Sequence, residues 1–349
     1  MHAMPETQNS ASIESEEGVG VNRKADDVRV PAAKTAGTRT WIMNAAEKWA
    51  TIVGFAAIVA FFWAKAPDTF GTVDNFKAIL DQAAIPILLG VGLTAVLAVA
   101  EFDLSFPYVL GLSSAAATLV MTDHQGGPVA AIVVGILAAV AANMISGYLV
   151  AQQRVSSFVV TLGFGFVWLG IANGLTDSTV ISQGMNETFI NLVLHRPLGI
   201  TLATWIAVGF ALLVAILFRW TVAGRNIMAV GSNPTASRLA GLPLDRIRIG
   251  AYMILGLGAG IAAMIITSRQ AQYTPNVGAG LFLSPYVAAF FGMSVLAVRR
   301  FNVFGTVVGA LFMGTLQTGL VIIGSASWLY ELIQGGALLV ILLIARRAA

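Results

Sequence analysis

Ten long apolar runs, separated by short polar breaks, set the pattern of this chain. They cover residues 49–64, 79–100, 105–121, 128–150, 158–175, 201–218, 249–268, 284–298, 303–323 and 329–345. Asp81 and Glu331 are the only Asp, Glu, Lys or Arg residues inside them. More than half of the 349 residues lie in these runs, more apolar length than a soluble domain has core to hide. Crossing about 30 Å of hydrocarbon takes roughly 20 residues of helix, and a backbone in lipid must pair its own N–H and C=O groups. The pattern therefore predicts an all-α polytopic membrane protein of about ten transmembrane helices, occupying residues 49–349. Runs 49–64 and 284–298 are short for a crossing, so tilting within the bundle and partial re-entry are both open for them.

Charge orients the predicted bundle. Of the 20 Lys and Arg residues, only Lys65, Lys77, Arg196 and Arg269 fall on the side opposite the termini; the rest cluster on the side that carries both ends. Excess Lys and Arg marks the cytoplasmic face, which puts both termini in the cytoplasm. The composition, 57% hydrophobic and 11% charged with a mean hydropathy of +0.81, is far from the roughly 25% charged of ordinary globular domains. A net charge of +3 distributed in this way implies a lipid bilayer and no nucleic acid. Residues 1–48 precede the first run, and the first forty are rich in Ala, Ser, Glu, Thr and Gly. Such a segment buries too little apolar surface to offset its ordering entropy, so a disordered cytoplasmic tail is expected. It does not read as a cleaved signal peptide, because the first run starts only at Trp49 with no small-residue cleavage pattern behind it.

The chemistry available is sparse. There is no cysteine, and the three histidines, His2, His124 and His195, lie in the tail and two outer loops, so no metal site is expected. No Gly-rich loop ending in Lys-Ser or Lys-Thr is present to hold a nucleotide. Gly256-Leu257-Gly258-Ala259-Gly260 lies in an apolar run with no strand before it, which excludes a dinucleotide fingerprint. Within the runs, Ser113, Asn143, Thr161 and Asn173 are candidates to line a substrate path, with helix bridging as the alternative for each. Ser114, Ser146 and Gln317 carry the same ambiguity, and the many in-run glycines permit close helix approach.

Three breaks between runs carry specific features. At Ala100-Glu101-Phe102-Asp103-Leu104-Ser105, two acids, Glu101 and Asp103, stand beside apolar runs, which is costly unless they find water, a cation or a helix N-terminus. Capping of the third helix by Asp103 or Ser105, with Pro107 in its first turn, is favoured over acid–base chemistry, since no nucleophile or metal accompanies the pair. In the outer loop 176–200, Phe189 to Leu194 reads as a short interfacial helix or a loose connector. In the inner loop 219–248, Asn233 as N-cap, Pro234 at the first helical position and Gly241 as left-handed terminator predict a helix of one to two turns. Ala236, Leu239 and Ala240 would share one face, with Arg238 reaching outward. A docking knob and an amphipathic connector on the lipid surface are both compatible with that local chemistry.

Taken in order, the Asn75-Phe76 entry to the second run, the Glu101-Phe102-Asp103-Leu104-Ser105 break, the inner loop from Gly224-Arg225-Asn226-Ile227 through Gly231-Ser232-Asn233-Pro234 to Ala240-Gly241-Leu242, and the outer Pro275-Asn276-Val277-Gly278-Ala279-Gly280 segment form a recognisable set. The chain resembles the permease subunits of bacterial ABC importers for simple sugars, the ribose, xylose, arabinose and galactose group, from about residue 50 onward. The resemblance implies a type II ABC importer-like fold in the bacterial cytoplasmic (inner) membrane, with an inverted relation between spans two to five and seven to ten. It also implies a second permease copy, a cytoplasmic ABC ATPase that binds ATP and Mg, and a periplasmic substrate-binding protein. The permease itself would hold no cofactor. Carried onto this chain, the ATPase-docking loop comprises Arg225, Asn226, Gly231, Asn233, Pro234, Ser237, Arg238, Leu239 and Gly241. Two departures stand out. The family commonly has Gly-Gly-Ile-Asp-Leu-Ser where this chain has Ala100 to Ser105, and a Gly-Gly-Thr-Ser-rich segment where it has Phe291 to Phe301.

Other readings fit less well. An ion-coupled secondary transporter would usually place charged or histidine residues near mid-membrane, and a membrane-embedded enzyme would need a chemical carrier. A branched-chain amino acid ABC permease is the nearer rival, but a zwitterion calls for charged partners, and these spans carry only Asp81 and Glu331.

The topology is testable because the chain has no cysteine of its own. Cysteines introduced at Ser12, Ser237 and Ala348 are expected to resist an impermeant thiol reagent in intact cells, while one at Asn186 reacts. Labelling at position 237 from outside would refute the ten-span arrangement.

Overall fold

The computed structural model describes residues 52–153, 155–295 and 300–347; the tail expected at 1–48 lies outside them, as do Arg154 and Arg299. Every apolar run supplies a helix. In chain order the helices are α1 (Ile52–Lys65), α2 (Pro67–Phe70), α3 (Val73–Ala98), α4 (Phe106–Thr122), α5 (Pro128–Gln153), α6 (Ser157–Leu175) and α7 (Glu187–Leu192). They continue with α8 (Leu202–Trp220), α9 (Val222–Ser232), α10 (Pro234–Leu239), α11 (Leu244–Gln270), α12 (Leu283–Val295), α13 (Val303–Ile322) and α14 (Ser327–Arg347). The described residues contain no strand, only an isolated antiparallel bridge between Ile181 and Tyr273. Six helices, α3, α5, α6, α8, α11 and α13, are long and apolar enough to cross a membrane. The helices in the regions of α1, α4 and α12 are apolar but shorter.

Antiparallel packing of long helices builds the bundle. Gly92 of α3 sits against Leu255 of α11 and Gly258 of α11 against Leu88, so α3 and α11 run in opposite directions at the centre. α3 packs on α12 and α13 as α11 packs on α4 and α5; α4 packs on α5 and α6 as α12 packs on α13 and α14. Exchanging α3–α6 for α11–α14 leaves this scheme unchanged. Because α3 and α11 are antiparallel, the exchange inverts the bundle, which is the relation the resemblance implied. Even the helix ends correspond: Ala100 after α3 and Ala271 after α11 take positive φ values of 61° and 50°.

Both repeats contain a short helix that starts inside the bundle. Thr122 at the far end of α4 lies beside Gly184 of the outer loop, whereas Pro107 in its first turn lies against Gly278. Those two points on α4 are separated by about 22 Å at 1.5 Å per residue. The segment between α11 and α12 therefore turns back from the Ile181–Tyr273 bridge deep into the bundle before α12 begins. The rings of Phe106 and Phe282, one at the start of α4 and one just before α12, stack at 6.1 Å with an interplanar angle of 7°. The described part of α12, Leu283–Val295, begins at the start of the short run at 284–298.

Charges inside the runs are confined to positions with partners or exposure. Asp81 pairs with Arg269 of α11 and accepts from the Thr201 hydroxyl before α8, binding α3, α8 and α11 near the start of α3, the start of α8 and the end of α11. Glu331 on α14 is exposed. The outer-loop alternative is settled as a helix. Asn186 caps α7, Phe189 is buried, and the Ser268 hydroxyl donates to the carbonyls of Phe189 and Ile190, which docks α7 on the end of α11.

Small residues set how closely α5 and α11 approach. A Cβ at Gly256 would stand 2.9 Å from the Ala139 carbonyl oxygen, whereas nothing lies within 4 Å of one at Gly335 on α14. Gly256→Ala is expected to lower the thermal midpoint in detergent, with overpacking of backbone costing about 1–3 kcal/mol. Gly335→Ala should be neutral or slightly stabilising through helix propensity. Equal midpoints for the two variants would mean that α5 and α11 are not in tight contact.

Candidate functional site

Residues 99–105 form a break of chain inside the bundle, and its backbone is held by side chains from three neighbouring helices and by its own Asp103. α3 ends with Ala100 N–H donating to the Leu97 carbonyl and Glu101 N–H to the Val96 carbonyl, a Schellman closure with Ala100 in the left-handed region. The chain then climbs along α6: Phe102 N–H donates to Ser157 Oγ at 3.1 Å and Leu104 N–H to Thr161 Oγ1 at 3.0 Å. From α11, the Tyr252 hydroxyl donates to the Phe102 carbonyl at 2.7 Å, and from α12 the Tyr286 hydroxyl donates to the Asp103 carbonyl at 2.6 Å. Asp103 Oδ1 accepts from Ser105 N–H, the Ser105 hydroxyl and Phe106 N–H. Asp103 therefore caps α4, as the sequence suggested; Ser105 makes no side-chain cap bond and acts as a donor. Asp103 is fully buried and its Oδ2 has no hydrogen-bond partner.

Glu101 turns away from the cap and forms an ion pair with Arg248 of α11 at 3.1 Å, both side chains mostly buried. Arg248 Nε meets the acid by distance without hydrogen-bond alignment. The pair fastens the break to the second turn of α11. A cavity of about 440 Å³ opens beside it, bounded by Ala100, Glu101 and Phe102 of the break, Met228 and Ser232 of α9, and Arg300.

The inner loop is two helices rather than one. Thr221 caps α9 by accepting from Gly224 N–H, and Asn233 caps α10 by accepting from Ala236 N–H at 2.9 Å. Gly241, at φ +78°, ends α10, with Gly241 N–H donating to the Arg238 carbonyl and Leu242 N–H to the Ser237 carbonyl. Pro234 occupies the first turn and Ser237 faces inward, buried. Ala236, Arg238, Leu239 and Ala240 face out, with Leu239 86% exposed. Arg225 is exposed and Asn226 half-buried on α9. The sequence did not reveal why Gly231 is needed: a side chain there would collide with the Ala98 carbonyl, so Gly231 seats α9 on the end of α3. The loop and the break are thus one assembly.

The four candidate path residues are not gathered together. Ser113 donates to the Gly135 carbonyl and ties α4 to α5, and Thr161 serves the break while donating to the Ser157 carbonyl. Asn143 is fully buried where α5 meets Gly256 of α11, and neither end of its amide has a partner. Asn173 is half-buried near the end of α6, its Oδ1 unpaired. Ser114 and Ser146 accept from Thr267 and Trp168, so they bridge helices. No group of three or more His, Cys, Asp or Glu residues suited to a metal occurs among the described residues.

Comparison with known proteins follows the same lines. The sequence pattern of the family described as "Branched-chain amino acid transport system / permease component" matches residues 75–342. The ribose import permease protein RbsC of Escherichia coli is 29% identical over 311 residues, covering 88% of this chain and 95% of that protein. The L-arabinose ABC transporter permease protein AraH of Azospirillum brasilense is 31% identical over 322 residues, covering 91% and 92%. The D-allose transport system permease protein AlsC of Escherichia coli is 28% identical over 298 residues, covering 84% and 90%.

The Asp103 cap serves three donors, so its loss should be felt in stability. Asp103→Ala is expected to cost about 1–3 kcal/mol by leaving buried donors unpaired, and Asp103→Asn, which keeps a carbonyl acceptor, less. Thermal midpoints in detergent measure both. If Asp103→Ala melts with the unaltered protein, the break is not held by this cap.

Proposed function

The chain belongs to the family of branched-chain amino acid transport system / permease components, and from that premise we propose that it is the transmembrane permease subunit of an ABC importer for a monosaccharide-like solute. The observation that carries this reading is the run of relatives named for ribose, arabinose and allose, each matching across more than four-fifths of this chain. In this reading the chain crosses the bacterial inner membrane ten times with both termini in the cytoplasm. It pairs with a second permease copy, receives solute from a periplasmic binding protein, and leaves ATP and Mg to a separate ATPase.

The arrangement around the break supports a mechanical role. An ATPase seated on the exposed Leu239 face of α10 would push on α9, which meets the end of α3 at Gly231. The end of α3 leads directly into the break and α4, so movement at the loop would reach the bundle interior without a long relay. Of the candidate path residues, Asn143 retains its full hydrogen-bonding capacity, which a wetted path would use.

The family description favours a second reading, a branched-chain amino acid as cargo. Against it, the charges in the helices are already engaged or peripheral: Asp81 with Arg269, Arg248 with Glu101, and Glu331 exposed. A neutral polyol needs donors and acceptors rather than free charge. Competition of uptake by unlabelled pentoses and hexoses against leucine, in cells carrying the full transporter, distinguishes the two.

Docking is tested on the same transporter. Arg238→Glu reverses a charge on the exposed face, and Gly241→Val forces a β-branched residue into the left-handed region. Both variants should reach the membrane at normal levels and lose most uptake, with ATP hydrolysis no longer linked to transport. Normal uptake together with normal ATPase association would make α9 and α10 a passive connector.

A further inference from the structure

Where α5 ends and α11 begins, a cavity of about 680 Å³ opens on the same end of the bundle as α10. Its lining brings together Tyr148 and Gln152 of α5, Arg238 of α10, and Asp245, Arg246 and Arg248 of α11. Three arginines thus face one aspartate. Arg248 is engaged by Glu101, which lies outside this lining, while neither Arg238 nor Arg246 has a carboxylate within ion-pair distance among the described residues. The N-cap of α11 is Pro243, and no side chain accepts from the first-turn N–H groups, so the positive end of a 27-residue helix adds to the same field.

The walls of the cavity also continue into an apolar surface. Tyr148 is 55% exposed, and going back along α5 the same face shows Ile145, Met144, Leu137 and Val134, all exposed. With exposed Ala141 between them, Tyr148, Met144, Leu137 and Val134 recur at intervals of four and three, so one stripe of α5 runs from the middle of the bundle to the mouth of the cavity. Exposed apolar side chains on a crossing helix face lipid tails, and an aromatic ring with a polar tip suits the level of the headgroups.

We propose that this cavity binds the phosphate of an anionic phospholipid, with Arg246 and Arg238 on the headgroup and the acyl chains along the exposed face of α5. A phosphate carries the charge that the unpaired guanidiniums lack, and guanidinium pairs with phosphate oxygens in a planar, bidentate manner. A soluble phosphate would satisfy the arginines but would leave the adjoining apolar stripe unused. Basic pockets between helices at the cytoplasmic surface are suited to such headgroups. The inference does not depend on the transported solute. A lipid here would bear on Arg238, and so on the position of α10.

The test uses the purified full chain in a mild detergent with added phosphatidylglycerol or phosphatidylcholine, reading retained lipid by native mass spectrometry and the thermal midpoint in parallel. The unaltered chain should retain phosphatidylglycerol in preference and be stabilised by it. Arg246→Gln should weaken that retention about fivefold, in line with the usual contribution of one basic side chain near anionic lipid. Arg219→Gln, an exposed arginine at the end of α8 outside the cavity, should not. An unchanged midpoint of Arg246→Gln in phosphatidylcholine shows that it folds; if it does not fold, Gln152→Glu, which places a negative charge in the same lining, takes its place. Equal retention of the two lipids, or equal loss in the Arg246 and Arg219 variants, overturns the site. Full displacement of phosphatidylglycerol by inorganic phosphate, with the same stabilisation, overturns the lipid and leaves a soluble anion as the occupant.

Discussion

A polar backbone that leaves its helix inside an apolar bundle must find partners from side chains, because neither lipid nor apolar core supplies them. Residues 99–105 live under that constraint, and much of the architecture follows from how it is met. Ser157 and Thr161 take up the N–H groups of Phe102 and Leu104, Tyr252 and Tyr286 cover the carbonyls of Phe102 and Asp103, and Asp103 caps the helix that follows. The partners come from α6, α11 and α12, so satisfying one short segment fixes three helices around it. The stiff start of α4 then gives Gly278 a surface to pack on, and Phe106 a ring to stack against.

Close approach of helices does the rest. Lipid tails are as apolar as leucine, so burying apolar surface gains little within the membrane, and association depends on packing and interhelical hydrogen bonds. Gly92, Gly256, Gly258 and Gly260 bring α11 against α3 and α5 at backbone distance. The bonds that cross helices, Ser113 to Gly135, Thr267 to Ser114, Trp168 to Ser146, are each worth about 0.6 kcal/mol in such settings. They locate the helices more than they hold them. Ion pairs occur toward the ends, Asp81 with Arg269 and Glu101 with Arg248, where water and polar neighbours lower the cost of charge.

The exchange symmetry of α3–α6 and α11–α14 gives this packing a mechanical meaning. Two short helices, α4 and α12, start within the bundle and each follows a long helix that ends in a left-handed residue. One of those long helices, α3, ends against α9. The other, α11, starts beside α10 and carries Arg248 to the break. Both halves of the bundle thus meet the same assembly of α9 and α10, so a displacement there is felt by both.

The amino-acid sequence alone settled the helical class and the place of each apolar run, because the length of a run and its lack of charge are set by what lipid tolerates. It also settled α10, since Asn233, Pro234 and Gly241 each act locally, through a cap, a fixed φ and a left-handed terminator. The cap at Asp103 was legible for the same reason, though Ser105 was an equal choice until the donors could be seen. Ala100 hid its left-handed conformation because no glycine marks it, and Gly231 hid its purpose because the Ala98 carbonyl it accommodates lies more than a hundred residues away. The internal symmetry was invisible in residue identities and plain in the helix contacts, since packing depends on shape and spacing, which many sequences meet. Which polar side chains bridge helices and which remain unpaired, Ser113 against Asn143, was likewise decided only in the folded bundle. A hydroxyl or amide in an apolar run carries the same chemistry in both cases, and its partner is chosen by the helix that comes to lie beside it.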